Sequence, residues 1–165
     1  MSLALEWLRP KTGEDPMAYH GEVFRYAMAK LGNREDAEDV AIEVVQALPS
    51  PCHKRDLRVY MLGMTRRKAI TLLRRRRPVV EVEDRDSAVR FDDRADQAAM
   101  VGQVLAGIHE EHREVLTLKY MAGLTSAEIG KITGKRAEAV DSMLQRAREA
   151  FAEAWTRLSS DEVKP

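Results

Sequence analysis

Apolar residues recur at helical spacing along most of the chain. Asp15-Pro16 is typical of an N-cap followed by proline at the first helical position, so a first helix is predicted from there to about Leu31. A second helix is predicted over roughly 34–48 and a third over about 57–76. The core face of the second helix repeats at i, i+3 and i+4, and it comprises Ala37, Val40, Ala41, Val44 and Leu48.

The pattern changes at Pro78, which ends the third predicted helix. Residues 78–96 lack helical periodicity and are predicted to form a linker. Helical spacing then resumes, with predicted helices from near residue 97 to about 110, over roughly 111–121, in a short segment that Gly134 ends, and over about 136–158. The predicted fold is all-α, with two small helical domains, 15–77 and 97–158, joined by the linker.

The charge of the chain is segregated, although its formal sum is zero. Residues 57–77 contain eight basic residues and no acid, whereas the linker contains seven acids and three arginines. Overall neutrality argues against a nucleic-acid-binding protein, but the concentrated basic segment favours one. A hydrophobic content of 44% is enough for packed cores, and an aromatic content of only 5% makes extensive sheet structure unfavourable.

Several features bear on where the protein resides. Cys52 is the sole cysteine, which excludes an internal disulfide. The apolar runs are too short to span a membrane, and the first ten residues lack the cationic start and long apolar core of a signal peptide. We therefore expect a cytoplasmic protein without membrane insertion.

The residues closest to an enzyme site are His109 and His112, beside Glu110 and Glu111. The second histidine comes one residue too early for the H-E-x-x-H zinc pattern. No nucleophile with a plausible base and no phosphate-binding glycine loop is present in the sequence. We predict a protein that is not an enzyme and needs no metal or cofactor, and a zinc assay would test the metal alternative.

The strongest local signal lies at 126–150, where a short helix, a glycine turn and an amphipathic helix form a predicted helix-turn-helix. The second of these helices has a predicted buried stripe of Val140, Leu144, Ala147 and Phe151. In DNA-binding versions the second helix enters the major groove. A plain antiparallel helix pair would show the same pattern.

Residues 108–151 resemble region 4 of extracytoplasmic-function sigma factors. The match includes Arg113-Glu114-Val115-Leu116, Tyr120, Gly123-Leu124-Thr125, Glu128-Ile129, Gly134, Val140, Ser142, Leu144 and Arg146-Ala147-Arg148. The resemblance implies that this domain binds the minus-thirty-five promoter element. The residues it assigns to that contact are Lys135, Arg136, Glu138, Ala139, Asp141, Ser142 and Arg146.

The N-terminal half resembles region 2 of the same family. Asp36-Ala37-Glu38-Asp39-Val40, followed by Glu43, is similar to its acidic helix, and residues 57–77 are similar to the segments that capture the minus-ten element. The resemblance implies a core-polymerase face of Asp39, Ile42, Glu43 and Gln46. It also implies a minus-ten surface of Tyr60, Arg66, Arg67, Lys68, Arg74, Arg75, Arg76 and Arg77, in which arginines bind phosphates and the tyrosine stacks on an unpaired base.

The function that the resemblance implies is that of an alternative sigma factor, with core RNA polymerase and promoter DNA as partners. Many relatives are held inactive by an anti-sigma factor, which makes such a partner a candidate here. The main alternative is a sigma-like regulator that binds polymerase without promoter-specific initiation. A different helix-turn-helix regulator would leave the matches at 36–43 and 57–77 unexplained.

The predicted recognition helix departs from the family in its charge. Asp141 and Met143 stand where family members commonly carry lysine and arginine, and residues 126–150 contain five basic residues against four acids. An acid repels phosphate, although it can also accept from a cytosine amino group. This departure favours the non-initiating alternative, and the arginine-rich third helix argues against it.

Overall fold

The computed structural model describes residues 15–49, 56–76 and 92–161, with side chains described over 97–160 in the last range. All regular elements in these ranges are helical, and the chain divides into two compact units between Val79 and Val80. The predicted fold class, all-α with two small helical domains, is therefore confirmed. In the same ranges no helix combines the length and apolar character that a membrane span requires.

The first unit opens with a 3-10 helix at Pro16–Tyr19, and three α-helices follow within its described residues: α1 (His20–Leu31), α2 (Arg34–Gln46) and α3 (Leu57–Arg75). The sequence predicted one continuous helix from Pro16, but its first turn is 3-10, a common geometry at helix N-termini. Gly32 ends α1 in the left-handed conformation, and the Asn33 side chain caps α2 by accepting from the amide of Asp36 at 3.0 Å.

Buried faces of all three helices form the core of the first unit. The core side chains are Val23, Ala27, Ala37, Val40, Ala41, Val44, Met61, Leu62 and Ala69. Leu48, which was predicted to extend the core face of α2, is only half-buried. The reason is that α2 ends at Gln46, so Leu48 no longer follows the helical period.

The described helices of the second unit are α4 (Asp92–Gly107), α5 (Glu110–Tyr120), α6 (Ser126–Thr133) and α7 (Ala137–Asp161). Helix α4 begins five residues before the predicted start at Gln97 and so takes in the end of the predicted linker. Aspartates are favourable residue types in a first helical turn, and the sequence has two at 92–93. The core is formed by Val104, Val115, Leu118, Leu124, Ile129, Val140, Leu144 and Ala147.

One predicted core residue of α7, Phe151, is half-buried instead. It stacks on Trp155, with ring centroids 6.0 Å apart, near the end of the packed part of the helix. Helices α4, α5 and α6 all pack on α7, so this helix is the axis of the second unit.

The turn between α6 and α7 is tight. Gly134 is left-handed with φ of 73°, and the amides of Gly134 and Lys135 both donate to the carbonyl of Gly130, at 2.8 and 3.1 Å. A Cβ at Gly130 would lie 2.5 Å from the Lys135 carbonyl oxygen. The backbones of the two helices can therefore approach this closely only with glycine at 130.

Gly130→Ala should lower the free energy of unfolding of the second unit by about 1–3 kcal/mol, because backbone must move to admit the methyl group. Gly102→Ala on α4 is the matched control, since its Cβ would meet no atom within 4 Å. It should stabilise the helix by roughly 0.5–1 kcal/mol. Thermal denaturation of the two variants would show shifts of opposite sign, and equal shifts would contradict the steric argument.

Candidate nucleic-acid interface

The outer face of α2 carries an acidic and amide rim around one apolar side chain. Asp39, Ile42, Glu43 and Gln46 follow one another at i, i+3, i+4 and i+7, and all four are exposed. They lie opposite the buried stripe of the same helix. Ile42 is 48% exposed, one of few large apolar side chains this open in the described residues. An apolar centre within a polar rim is the usual composition of a protein interface.

This face continues onto α3 through an ion pair. The Lys68 ammonium donates to the Glu43 carboxylate at 2.8 Å. Two residues assigned by resemblance to different partners, polymerase and DNA, therefore contact each other in the free chain. Both are partly exposed, so the pair contributes at most about 1 kcal/mol to stability.

The outer face of α3 is a basic stripe. Tyr60 is half-buried near the helix start, and Arg67, Arg74 and Arg75 are exposed at helical spacing along the same side. None of these three arginines forms an ion pair with a described residue.

Other basic residues in α3 and at its C-cap have partners. Arg76 forms a bidentate pair with Asp36 of α2, with Nη2 donating to Oδ1 at 2.5 Å and Nη1 donating to Oδ2. Arg58 forms another with Glu22 of α1, its Nε donating to Oε2 at 2.9 Å. Arg66 is half-buried and also has a partner.

The arginines at the end of α3 therefore differ in what their side chains contact. Arg76, directly after the helix, reaches the Asp36 carboxylate, whose side chain is 11% exposed, while its own side chain is 53% exposed. Arg74 and Arg75 face outward, and Arg77 lies outside the described residues. Of the predicted minus-ten residues, Lys68 and Arg76 are thus held by acids of the same unit.

In the second unit, α6 and α7 form the predicted helix-turn-helix. Thr125 and Glu128 form a capping box at the start of α6, with the Thr125 amide donating to Glu128 Oε2 at 2.8 Å. The first turns of α7 present an exposed face, which we call the recognition face. It comprises Arg136, Glu138, Ala139, Asp141, Ser142, Gln145 and Arg146.

Four polar residues assigned to the minus-thirty-five contact have partners within the unit, and one of them, Arg146, donates through Nε to the Ser142 carbonyl at 3.3 Å. Lys135 donates to Glu111 of α5 at 3.2 Å. Asp141 accepts from the hydroxyl of Ser126, the first residue of α6. The Ser142 hydroxyl donates to its own helix, to the Glu138 carbonyl at 3.0 Å. Gln145, which the predicted contact set omits, is exposed, and no described residue bonds to its side chain.

An apolar groove of about 370 Å³ lies between α4, α5 and α7. Sequence reasoning did not find it. Val101, Tyr120 and Met121 line it and are exposed, and Arg148 at its edge donates to the Tyr120 hydroxyl at 2.9 Å. In the sequence, the groove is indicated by two large apolar residues, Tyr120 and Met121, which follow the buried residues of α5.

The histidines of the second unit act as local structure. His109 caps α5 by accepting from the amide of Glu111 at 3.3 Å, and its ring meets His112 edge to face. No group of three or more metal-ligating side chains occurs among the described residues. Cys52 and His53 fall outside them.

Residues 98–151 match the family described as "Sigma-70, region 4". These residues form a region 4 domain. The matched range runs from α4 into α7 and includes the whole helix-turn-helix, so the recognition face belongs to region 4. No curated protein sequence matches the chain.

A solved structure supplies a match over both units. The sigma factor RpoE of Bartonella quintana, solved in complex with the anti-sigma factor NepR, has 16% sequence identity and a TM-score of 0.66. The match covers 85% of this chain and 93% of that one. At this identity it shows a shared fold. Together with the region 4 match, it supports the resemblance to extracytoplasmic-function sigma factors.

Arg76→Ala should lower the free energy of unfolding by about 1–2 kcal/mol, because the buried Asp36 carboxylate loses its partner. Arg75→Ala removes an adjacent arginine without an ion pair and should change stability by less than about 0.5 kcal/mol. Urea denaturation followed by circular dichroism compares the two. Equal losses would show that the Asp36 pair does not hold α3.

Proposed function

We propose that the chain is an alternative sigma factor, which binds core RNA polymerase in the cytoplasm, directs it to specific promoters and performs no catalysis itself. The observation that carries the proposal is a combination of two units in one chain. The second unit has a region 4 helix-turn-helix, and the first unit has an arginine stripe on α3 beside the acidic face of α2.

The face around Ile42 is the proposed contact with core polymerase. Asp39, Glu43 and Gln46 supply the polar rim, and the apolar centre is already exposed. Burying such a side chain in a partner contributes about 1.5–3 kcal/mol. The rim carboxylates favour a basic partner surface through charge complementarity.

The stripe on α3 is the proposed minus-ten contact. Arg67, Arg74 and Arg75 bind phosphates, and Tyr60 lies along the same side, where it stacks on an unpaired base. Arg66 and Lys68 flank the stripe, and Arg76, which pairs with Asp36, lies at its end. Arg77 is assigned to the same contact by its place in the sequence. The stripe favours single-stranded over duplex DNA, because it pairs one aromatic ring with a row of cations.

Region 4 is the proposed minus-thirty-five contact. Arg136 and Arg146 supply positive charge on the recognition face, with Lys135 at the turn, and Glu138, Ala139, Asp141 and Ser142 lie among them. The two DNA contacts act together through multivalency, so that each can be weak. An anti-sigma factor is a further proposed partner, since RpoE was solved with one.

One observation favours the alternative, a regulator that binds polymerase without promoter-specific initiation. Lys135 is paired with Glu111, and the recognition face carries two acids, so region 4 has little free positive charge toward DNA.

Binding to purified core polymerase, followed by run-off transcription from a promoter library, distinguishes these functions. Initiation from a defined promoter set supports the sigma factor. Binding to polymerase with no initiation at any promoter supports the regulator. No binding to core, after any co-purified inhibitor has been removed, would overturn both.

Ile42→Ser should weaken binding to core polymerase by roughly tenfold, because it removes the apolar centre of the interface. Its stability should hardly change, since the side chain is 48% exposed. Met17→Ser is the matched control, an exposed apolar residue of the same unit that lies off α2. Fluorescence titration with core would show a loss for Ile42→Ser alone, and equal affinities would exclude this face.

The triple variant Arg67→Ala, Arg74→Ala, Arg75→Ala should flatten the salt dependence of binding to single-stranded DNA. The slope of log K against log salt should fall by about 2, because three phosphate contacts are lost. Arg34→Ala, which removes an exposed arginine of α2, is the control and should leave the slope unchanged. A triple variant with the parental slope would show that the stripe does not meet DNA.

A further inference from the structure

Helices α6 and α7 contact each other at the turn that joins them and also at the end away from the turn. At the turn, Gly130 admits no side chain against the Lys135 carbonyl. At the end away from the turn, the Ser126 hydroxyl donates to Asp141 Oδ1 on the other helix. Ser126 is the first residue of α6, and Asp141 is the fifth residue of α7.

The negative charge of Asp141 interacts favourably with the N-terminus of α6, whereas it would interact unfavourably with DNA phosphates. A carboxylate near a helix N-terminus interacts with the positive end of the helix dipole, whereas a carboxylate near phosphate is repelled. The hydrogen bond from Ser126 holds the Asp141 carboxylate at the N-terminus of α6. An acid on a DNA-facing helix is therefore explained without any contact to DNA.

We infer that Asp141 is a positioning residue, which holds α7 at a fixed angle to α6 through Ser126 and contacts neither base nor phosphate itself. The DNA part of this inference rests on the proposed function. The angle matters because it determines which base edges the first turns of a recognition helix can reach. Base reading then falls to the neighbouring side chains of the recognition face, with Gln145 available among them.

Three single variants separate positioning from base contact. Ser126→Ala keeps the carboxylate but removes its donor. Asp141→Asn keeps an acceptor for Ser126 and removes the charge, and Asp141→Ala removes both. Ser160→Ala, a serine at the far end of α7 that bonds only within its own helix, controls for the loss of a hydroxyl.

The first readout is the unfolding of the full chain, which does not depend on DNA. Ser126→Ala and Asp141→Ala should each lower the folding equilibrium constant by roughly fivefold, and the double variant by no more than either alone. Additive losses would overturn the inference. Because this cycle needs no promoter, it decides the Ser126–Asp141 contact even if the proposed function fails.

The second readout is initiation at promoters selected by the parent protein, compared with the same promoters altered in the upstream element. Ser126→Ala and Asp141→Ala should reduce this selectivity by roughly fivefold, and Asp141→Asn should retain it within about twofold. The salt slope of Ser126→Ala should equal that of the parent. A single-base change of preference in Asp141→Asn, with Ser126→Ala unaffected, would identify Asp141 as a base contact and overturn the inference.

Discussion

The geometry of the first unit depends on the bidentate pair between Arg76 and Asp36. Helix α3 carries three exposed arginines that form no ion pair with a described residue, Arg67, Arg74 and Arg75, and the direction of the helix decides where they lie. Arg58 and Glu22 hold one end of α3, and Arg76 and Asp36 hold the other. Because Asp36 is buried, its charge must be matched, and this requirement draws Arg76 inward and leaves Arg74 and Arg75 outside.

Charge segregation explains how a neutral chain carries a basic surface, because residues 57–77 contain eight basic residues and no acid. The inward pairs use one arginine for each acid, so they do not change this balance, but they decide which arginines of α3 remain on its outer side. Glu22 and Asp36 each hold one arginine, of which Arg58 is partly buried and Arg76 is more exposed. Under the proposed function, DNA on the outer side of α3 meets Arg67, Arg74 and Arg75, which form no ion pair with a described residue.

The helices and their caps were predictable because their signals are local. Asn33, Thr125, Gly32 and Gly134 act within a few residues, and the buried stripe of α2 follows from its period. The partners of charged residues were not predictable in this way. Arg76 and Asp36 are 40 residues apart and meet only through the packing of α2 on α3. Asp141 looked anomalous beside its family for the same reason, since Ser126 lies on the preceding helix.

The glycine at 130 has a consequence for how region 4 could diversify. The close contact that only glycine permits is at the turn, where a Cβ at position 130 would meet the Lys135 carbonyl. Glu138, Ala139 and Gln145 lie away from this contact and are exposed. Under the proposed function, substitutions at these three positions alter base preference at little cost to folding. The helix-turn-helix would then be a scaffold on which selectivity can be redesigned one surface residue at a time.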